Sequence, residues 1–430
     1  MIGWPVSCGR GFRDSADGGE VLYLPEHTLV FHIERLPAVG ERRSGMKIVY
    51  ISSSTIPSRA ANSIHVMKMC QAFARHGNSV TLLAPDKKHD YEDNVGDPYG
   101  FYGVEACFDI DRLSLPDIRG RGYLYGLTAG RRAHAMTADL VYCRNIPGCF
   151  FSMLFGLKVI LEIHAPPEDD GLLHAAMFRT VLRSSRLVKL VAITDSLRTQ
   201  IVTRNPTLAR TVVVAPDGAD AVANDAASAD LGAESSFNIG YVGHLFAGRG
   251  VELIVELARR TTWANFHLVG GTDSDIAYWR AKTKTFRNIH FHGFVSPAIA
   301  ERYRLSFDVL LAPYQAEVAV WGGGGNTARW MSPLKLFEYM AAGKAIVSSD
   351  LPALREILNH QVNALLCAPD DIEAWATALL RLRDNEELRV RLGYVAREEF
   401  LTRYTWEKRA ERLLAQRPED SDNDCACSRS

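Results

Sequence analysis

The 430-residue chain lacks an excess of either charge. Lys and Arg number 49 against 50 Asp and Glu, a net charge of −1, so no global basic field draws it onto nucleic acid. It lacks a long apolar run. The longest, Cys149 to Ile163, is interrupted by Gly156, Lys158 and Glu162 and falls short of the roughly 20 residues that cross a bilayer. Its eight cysteines are scattered without a C-x-x-C pair, which excludes zinc or thioredoxin spacing and fits a reducing cytoplasm. Cys425 and Cys427 fall in a polar tail and read as part of an unstructured end. The first residues lack the basic, apolar and small-residue order of a secretory signal, and no strict short-period repeat runs through the chain. What is present is the composition of a folded protein, 47% apolar and 23% charged, too long for one ordinary core and suited to two.

Met46 to Ile51 is an initiator-like methionine followed by a compact apolar strand. Residues 1–45 are therefore expected to be an extra, poorly structured segment, with Met46 opening the folded part and a candidate translation start. A helix follows, with Asn62 and Ser63 as N-cap types, Ile64, Met67, Cys70 and Phe73 at helical spacing, and His76-Gly77 at its end. Val80 to Ala84 reads as a strand stopped by Pro85. Further strands are expected at Asp139–Tyr142, Val159–Ile163, Leu187–Ile193 and Val212–Val214. A small, acidic stretch from Gly218 to Ser236 reads as a linker, and the alternation restarts at Phe237–Gly243. It continues with a helix over Val251–Arg260, strands at Phe266–Gly270, Ile289–Gly293 and Asp308–Ala312, a helix near Leu334–Ala342 and a strand at Ala345–Val347. Short β-rich runs alternating with helical stretches predict an α/β protein of two Rossmann-like, doubly wound parallel sheets facing each other across a cleft. The expected division is 46–218, a linker at 219–236, 237–395, a crossover helix at 396–415 that returns to the first domain, and a disordered tail at 416–430.

Ligands of doubly wound sheets bind beyond the carboxyl ends of the strands, so residues that follow strands are the candidates. Ser52 to Ser63 is rich in hydroxyls and leads into a helix N-terminus. There Ser58, Arg59, Asn62 and Ser63 are candidates for an anion or acceptor, with an ordinary capped loop as the competing reading. His164 follows a buried strand, where an imidazole can hydrogen-bond a sugar hydroxyl or balance charge in a transition state; a structural histidine competes. Gly243, Gly248 and Gly250 permit close backbone approach. Arg249 stands before a helix N-terminus, a poor place for a cation unless an anion lies between them; an exposed arginine on a glycine-rich turn competes. Ser332 is expected as an N-cap and Pro333 at N1, so that the first turn and Lys335 form a further anion site. Glu338, about one and a half turns in, can accept two ribose hydroxyls if it faces the cleft, and is otherwise a solvated helix glutamate. Trp321 to Asn326 reads as a hinge-like lid or a disordered insert.

Taken together these segments resemble a retaining glycosyltransferase of the large family 4 type, with the GT-B fold, over about Met46 to Leu414. The marks are Pro57-Ser58-Arg59 with Ala61 to Val66, Glu162-Ile163-His164, Ala192-Ile193-Thr194, Ala215 to Gly218, the Gly243 to Gly250 loop, and Ser332 to Gly343. The resemblance implies a nucleotide-sugar donor on the C-terminal domain and a glycan, glycolipid or polysaccharide-precursor acceptor on the N-terminal one. It places His244, Arg249, Ser332, Pro333, Leu334 and Lys335 on the donor diphosphate, Glu338 on the ribose, and Gly293, Phe294 and Val295 beside the base. His164 falls near the transferred sugar as the catalytic histidine. With Arg249, His244, Lys335 and a helix end to meet the leaving-group charge, no metal and no other cofactor are expected. The pattern departs from the family at Trp330, where many members carry a glutamate eight residues before Glu338, and at His244, where an arginine is usual. Another GT-B enzyme, such as a nucleotide-sugar epimerase, and a non-catalytic nucleotide-sugar-binding protein are the alternatives. A cytoplasmic location is expected, with peripheral contact at the inner face of a membrane if Arg119, Arg121, Arg131 and Arg132 meet anionic lipid; isolated surface arginines are the competing reading.

Overall fold

The structure is a computed structural model that describes residues 45–166, 171–232, 237–318 and 326–415. The leader up to residue 44, the tail and the Trp321–Gly325 part of the expected lid lie outside the described residues.

Two parallel sheets organise the chain. The first holds β1 (Lys47–Ile51), β2 (Ser79–Pro85), β3 (Asp109–Leu113), β4 (Leu140–Cys143), β5 (Val159–Ile163), β6 (Leu187–Ala192) and β7 (Val212–Val214), in the order β3-β2-β1-β4-β5-β6-β7. The second holds β8 (Phe237–Val242), β9 (Ala264–Val269), β10 (Ile289–Gly293), β11 (Val309–Ala312), β12 (Ala345–Ser349) and β13 (Leu365–Cys367), in the order β10-β9-β8-β11-β12-β13. Parallel neighbours cannot be joined by a tight turn, so helical crossovers cover both faces and the strands become apolar on both sides. In β1, Ile48 and Tyr50 face a core that includes Val66 and Phe73, while Val49 and Ile51 face another with Val141 and Leu161. Ile239 and Tyr241 of β8 pack with Ile254 and Leu257, and Val242 packs with Leu336 and Phe337 on the opposite face.

Each sheet reverses its winding once. In the first the reversal lies between β1 and β4, and in the second between β8 and β11. These are the positions where crossovers diverge to opposite faces and leave a crevice beyond the strand ends.

Several local expectations are corrected. The helix after β1 spans Ala61–Arg75 and its N-cap is Ala60, without a side-chain cap. Ser63 is instead drawn into the preceding loop, where its hydroxyl donates to the Thr55 carbonyl at 2.9 Å and pairs with Ser58 Oγ at 2.7 Å. The later helix spans Leu334–Ala341 with Pro333, not Ser332, as N-cap. Ser332 Oγ accepts the Asp217 backbone N–H at 2.8 Å, since that buried amide needs a partner where the chain crosses between the sheets. Pro85 ends β2 from within, paired with Leu113 of the edge strand β3.

The stretch expected as a linker is anchored at a few points among its described residues, 219–232, most of which are exposed. Ala219 and Val222 are buried in the second domain's core with Ala226 and Leu231 against it, because small apolar residues recur among its polar ones. The helix Glu386–Arg403 runs through residue 395, and the chain turns only at Tyr404 before the helix Trp406–Leu414. That last helix lies on the first sheet: Trp406, Ala410 and Leu413 share a core with Ile48 and Tyr50. Its carbonyl end is met by the buried Lys189 ammonium, which donates to Leu413 at 2.7 Å and Ala415 at 2.6 Å, a favourable end for a cation.

Candidate active site

At the crevice of the second sheet, the loop after β8 approaches the loop after β11 very closely. A Cβ on Gly250 (φ +80°) would stand 1.8 Å from the Pro313 carbonyl oxygen, and one on Gly243 would stand 2.9 Å from Lys335 Nζ. Glycine is what allows both approaches. Lys335, in the first turn of Leu334–Ala341, is buried with its ammonium 3.6 Å from the centre of the Tyr241 ring and without a hydrogen-bond partner. Burial, then the Arg249 charge, hold the lysine well below its ordinary pKa. Arg249 lies over Phe246 at 4.8 Å and Tyr314 at 5.4 Å, its Nε also buried without a partner. Two basic side chains thus converge on one crevice at a helix N-terminus, and among the described residues neither forms an ion pair, Glu338 being the carboxylate whose charge reaches Lys335.

His244 is placed beside them but differs in charge from a basic anion ligand. Burial, then Arg249 and Lys335, push it down to about 4, so at neutral pH it is an uncharged imidazole able to exchange hydrogen bonds only. Glu338 keeps about 30% of its side chain accessible, and one carboxylate oxygen accepts from Arg304 Nη1 at 3.2 Å. Arg304 thereby orients the carboxylate and leaves its other oxygen open for a hydroxyl. Gly293 ends β10 and Phe294 and Val295 follow it, with Phe294 42% exposed.

At the crevice of the first sheet the structure holds a buried ionic cluster. Glu162, on β5, is fully buried and receives Arg409 Nη2 at 2.9 Å, His164 Nε2 at 2.6 Å, and the Tyr142 hydroxyl. Burial pushes its carboxyl up, and Arg409, His65 and His164 more than reverse this, so it stays well below the usual carboxylate range. His65 lies between Glu162, at 3.1 Å, and Asp217, at 2.8 Å. These three side chains have the spacing of metal ligands, and both Glu162 oxygens are held by Arg409, Tyr142, His65 and His164. Arg409 further donates to the carbonyls of Pro216 and Ala215, tying the last helix to the crossing between domains.

The two crevices meet. Arg59 stacks on Phe294 at 3.8 Å and pairs with Glu92, a contact between the two domains. Leu334 packs against the first domain's core, and Trp330 against that domain's other core. Where the family pattern has a glutamate, this chain has an indole seated on the facing domain. Ser58 and Ser63 hold the loop after β1, and Asn62 accepts through its carbonyl from Arg144 at 3.3 Å. Of the four surface arginines considered for lipid, Arg121 pairs with Asp117 and Arg132 with Asp111, while Arg119 and Arg131 are exposed. Among the described residues no helix is long and apolar enough to cross a membrane.

Sequence reasoning missed Arg144, Arg304 and Arg409. Arg144 directly follows β4 and was open to the rule that selected His164. Arg304 and Arg409 carry no local signal, since their partners lie 34 and 247 residues away in the chain.

Comparison with known proteins agrees with this architecture. The fold is that of GT-B glycosyltransferases. Residues 236–385 match the family model described as Glycosyl transferases group 1. Over 120 residues the chain is 35% identical to a phosphatidyl-myo-inositol mannosyltransferase of Mycolicibacterium smegmatis; the match spans 28% of this chain and 28% of that relative. Among solved structures, Anabaena Alr3699/HepE in complex with UDP superposes with a TM-score of 0.65 at 14% identity, covering 88% of this chain and all of that one. Sucrose-phosphate synthase from Thermosynechococcus elongatus does so with a TM-score of 0.65 at 17% identity, covering 89% of this chain and all of that one.

Proposed function

We propose that the chain is a glycosyltransferase that moves a sugar from a nucleotide-sugar donor to the hydroxyl of a glycan, glycolipid or polysaccharide precursor. The observation that carries this reading is the pairing of the buried Lys335 with the half-buried Arg249 at the crevice of the second sheet, where neither forms an ion pair among the described residues. A buried ammonium without a partner is costly, and a diphosphate would supply the missing charge and hydrogen bonds at once. The domain that carries the pair is the one matched by the Glycosyl transferases group 1 model. Glu338 with its open oxygen suits a ribose.

In the reaction the bond from the anomeric carbon to the diphosphate breaks, a bond to the acceptor oxygen forms, and nucleoside diphosphate leaves with the electron pair and takes up the acceptor hydroxyl's proton. Arg249, Lys335 and the Leu334–Ala341 N-terminus oppose the charge that develops on it, so metal-independence is part of the proposal. Retention of anomeric configuration rests on the sequence resemblance. The test is a panel of UDP-, GDP- and ADP-sugars assayed for nucleoside diphosphate release and product, with and without EDTA. Release on one base series that EDTA leaves unchanged is the expected result. No release on any donor overturns the transferase, and EDTA-sensitive release overturns metal-independence.

A further inference from the structure

The reading of His164 as a substrate-facing histidine meets a difficulty in its own hydrogen bonds. Its Nε2 is 2.6 Å from Glu162 Oε1, and its Nδ1 is 3.3 Å from Arg144 Nη2. An arginine only donates and a carboxylate held ionised only accepts. The partners therefore fix the ring as a neutral imidazole with its proton on Nε2 and its lone pair on Nδ1. Burial and the Arg144 charge push the group down to about 4 although 31% of the side chain is accessible. Neither ring nitrogen is left to meet a hydroxyl.

Arg144 is in the opposite condition. It follows β4 directly, its backbone N–H donates to Ile51 at the end of β1, and so it stands at the winding reversal of the first sheet, where a doubly wound sheet takes its ligand. Its three contacts are long: 3.3 Å to His164, 3.3 Å to the Asn62 carbonyl and 3.5 Å from Nε to Glu162. A guanidinium has five N–H donors, so two are uncommitted, and 10% of the side chain is accessible.

We propose that Arg144, and not the imidazole of His164, is the hydrogen-bond donor that the first sheet offers to the substrate, with His164 a positioning residue that holds it. The ligand it takes is an electronegative oxygen, on the transferred sugar or on the acceptor. Glu162 and Arg409 fix the base of this column, and His65 and Asp217 brace its side. The inference rests on the transferase reading for its kinetic arm but not for its spectroscopic one.

The kinetic arm compares Arg144→Met, Arg144→Lys and His164→Gln on the donor that the wild type turns over. Glutamine can keep one N–H for Glu162 and one carbonyl for Arg144. We expect Arg144→Met to lower kcat at least about 30-fold and His164→Gln only about threefold, with lysine at position 144 recovering part of the loss. Affinity for the matching nucleoside diphosphate, measured by calorimetry, should stay within about twofold in all three. Loss of both donor hydrolysis and transfer assigns the contact to the sugar, and loss of transfer alone assigns it to the acceptor. The proposal is overturned if His164→Gln loses more than Arg144→Met. The spectroscopic arm is 15N NMR of the histidine rings in the ligand-free protein. His164 should show the neutral Nε2–H form from pH 5 to 8, and its pKa should rise in Arg144→Met; an Nδ1–H or cationic ring at pH 7 overturns the proposal. If the wild type uses no donor, the transferase reading falls, and the ring's tautomer still decides the geometry.

Discussion

Lys335 is the residue whose environment is hardest to explain as architecture. Its ammonium is buried against Tyr241 with Arg249 nearby and no hydrogen bond, so it destabilises the fold unless a ligand answers it. Lys335→Met should therefore weaken nucleoside diphosphate binding by about ten- to a hundredfold, the weight of a charge-assisted contact, while Tm stays level or rises. Calorimetry and thermal melts on the same samples check both halves. Two histidines give a second signature. His164 and His244 are each pushed down to about 4 in the fold, against about 6.5 in an unfolded chain. Between these values the unfolded chain holds protons that the fold excludes, so stability should fall as pH drops from about 6.5 to about 4. Glu162 and Asp217 lie below their ordinary values, so their contribution is lost further down, as pH falls below about 4. Melts across this range should show the first decline, and His164→Gln should reduce it. At this scale the sequence exposed Arg249, Lys335 and Glu338, because each stands in a contiguous loop-to-helix segment. Arg144 stayed hidden although a strand points at it, since a lone arginine after a strand has no local partner. His164 was found and read as facing the substrate, but its commitments to Glu162 and Arg144 had no local signal, since they arise only from tertiary packing.

Among the elements, strands were the most legible. Val159–Ile163, Val212–Val214 and Ile289–Gly293 have in the structure the limits expected of them, and the first, which lies inside its sheet and is buried throughout, is the one whose apolar run reflects cover on both faces. Helix starts were less legible. Ser332 and Asn62-Ser63 carry N-cap chemistry, yet tertiary acceptors and donors compete for the same side chains, and Ser332 went to Asp217 while Ser63 went to Thr55. The loop after β8 shows how one element depends on another. Gly250 has φ +80° and lies against the Pro313 carbonyl, so the β8 and β11 loops can only close as a pair. Gly250→Ala should cost about 2 kcal/mol or more, since both the positive φ and the backbone contact must be relieved. Because Arg249 is the preceding residue, the same change should weaken nucleoside diphosphate binding. Urea unfolding and calorimetry on the variant check it, and a stable variant with intact binding would show that this loop is less constrained than its geometry requires.

At the scale of the molecule, the last helix makes the first domain depend on the end of the chain. Trp406, Ala410 and Leu413 complete a core begun by β1, and Arg409 brings a guanidinium to Glu162 Oε2. The pair is fully buried, so removing one partner leaves an uncompensated charge in the interior, a cost of about 3–5 kcal/mol. Arg409→Met should therefore destabilise the protein on that order. Glu162→Gln should also destabilise, because it leaves Arg409 without its anion and gives Arg409, His65 and His164 a single acceptor oxygen in place of two. The double variant removes both charges and should be markedly more stable than the sum of the singles predicts, with a coupling of about 1–3 kcal/mol. Urea unfolding of the four proteins gives that coupling directly. If the two changes simply add, the helix is held by its apolar face alone. A coupling of the expected size means that the same ion pair joins the chain's end to the base of the column under His164 and Arg144.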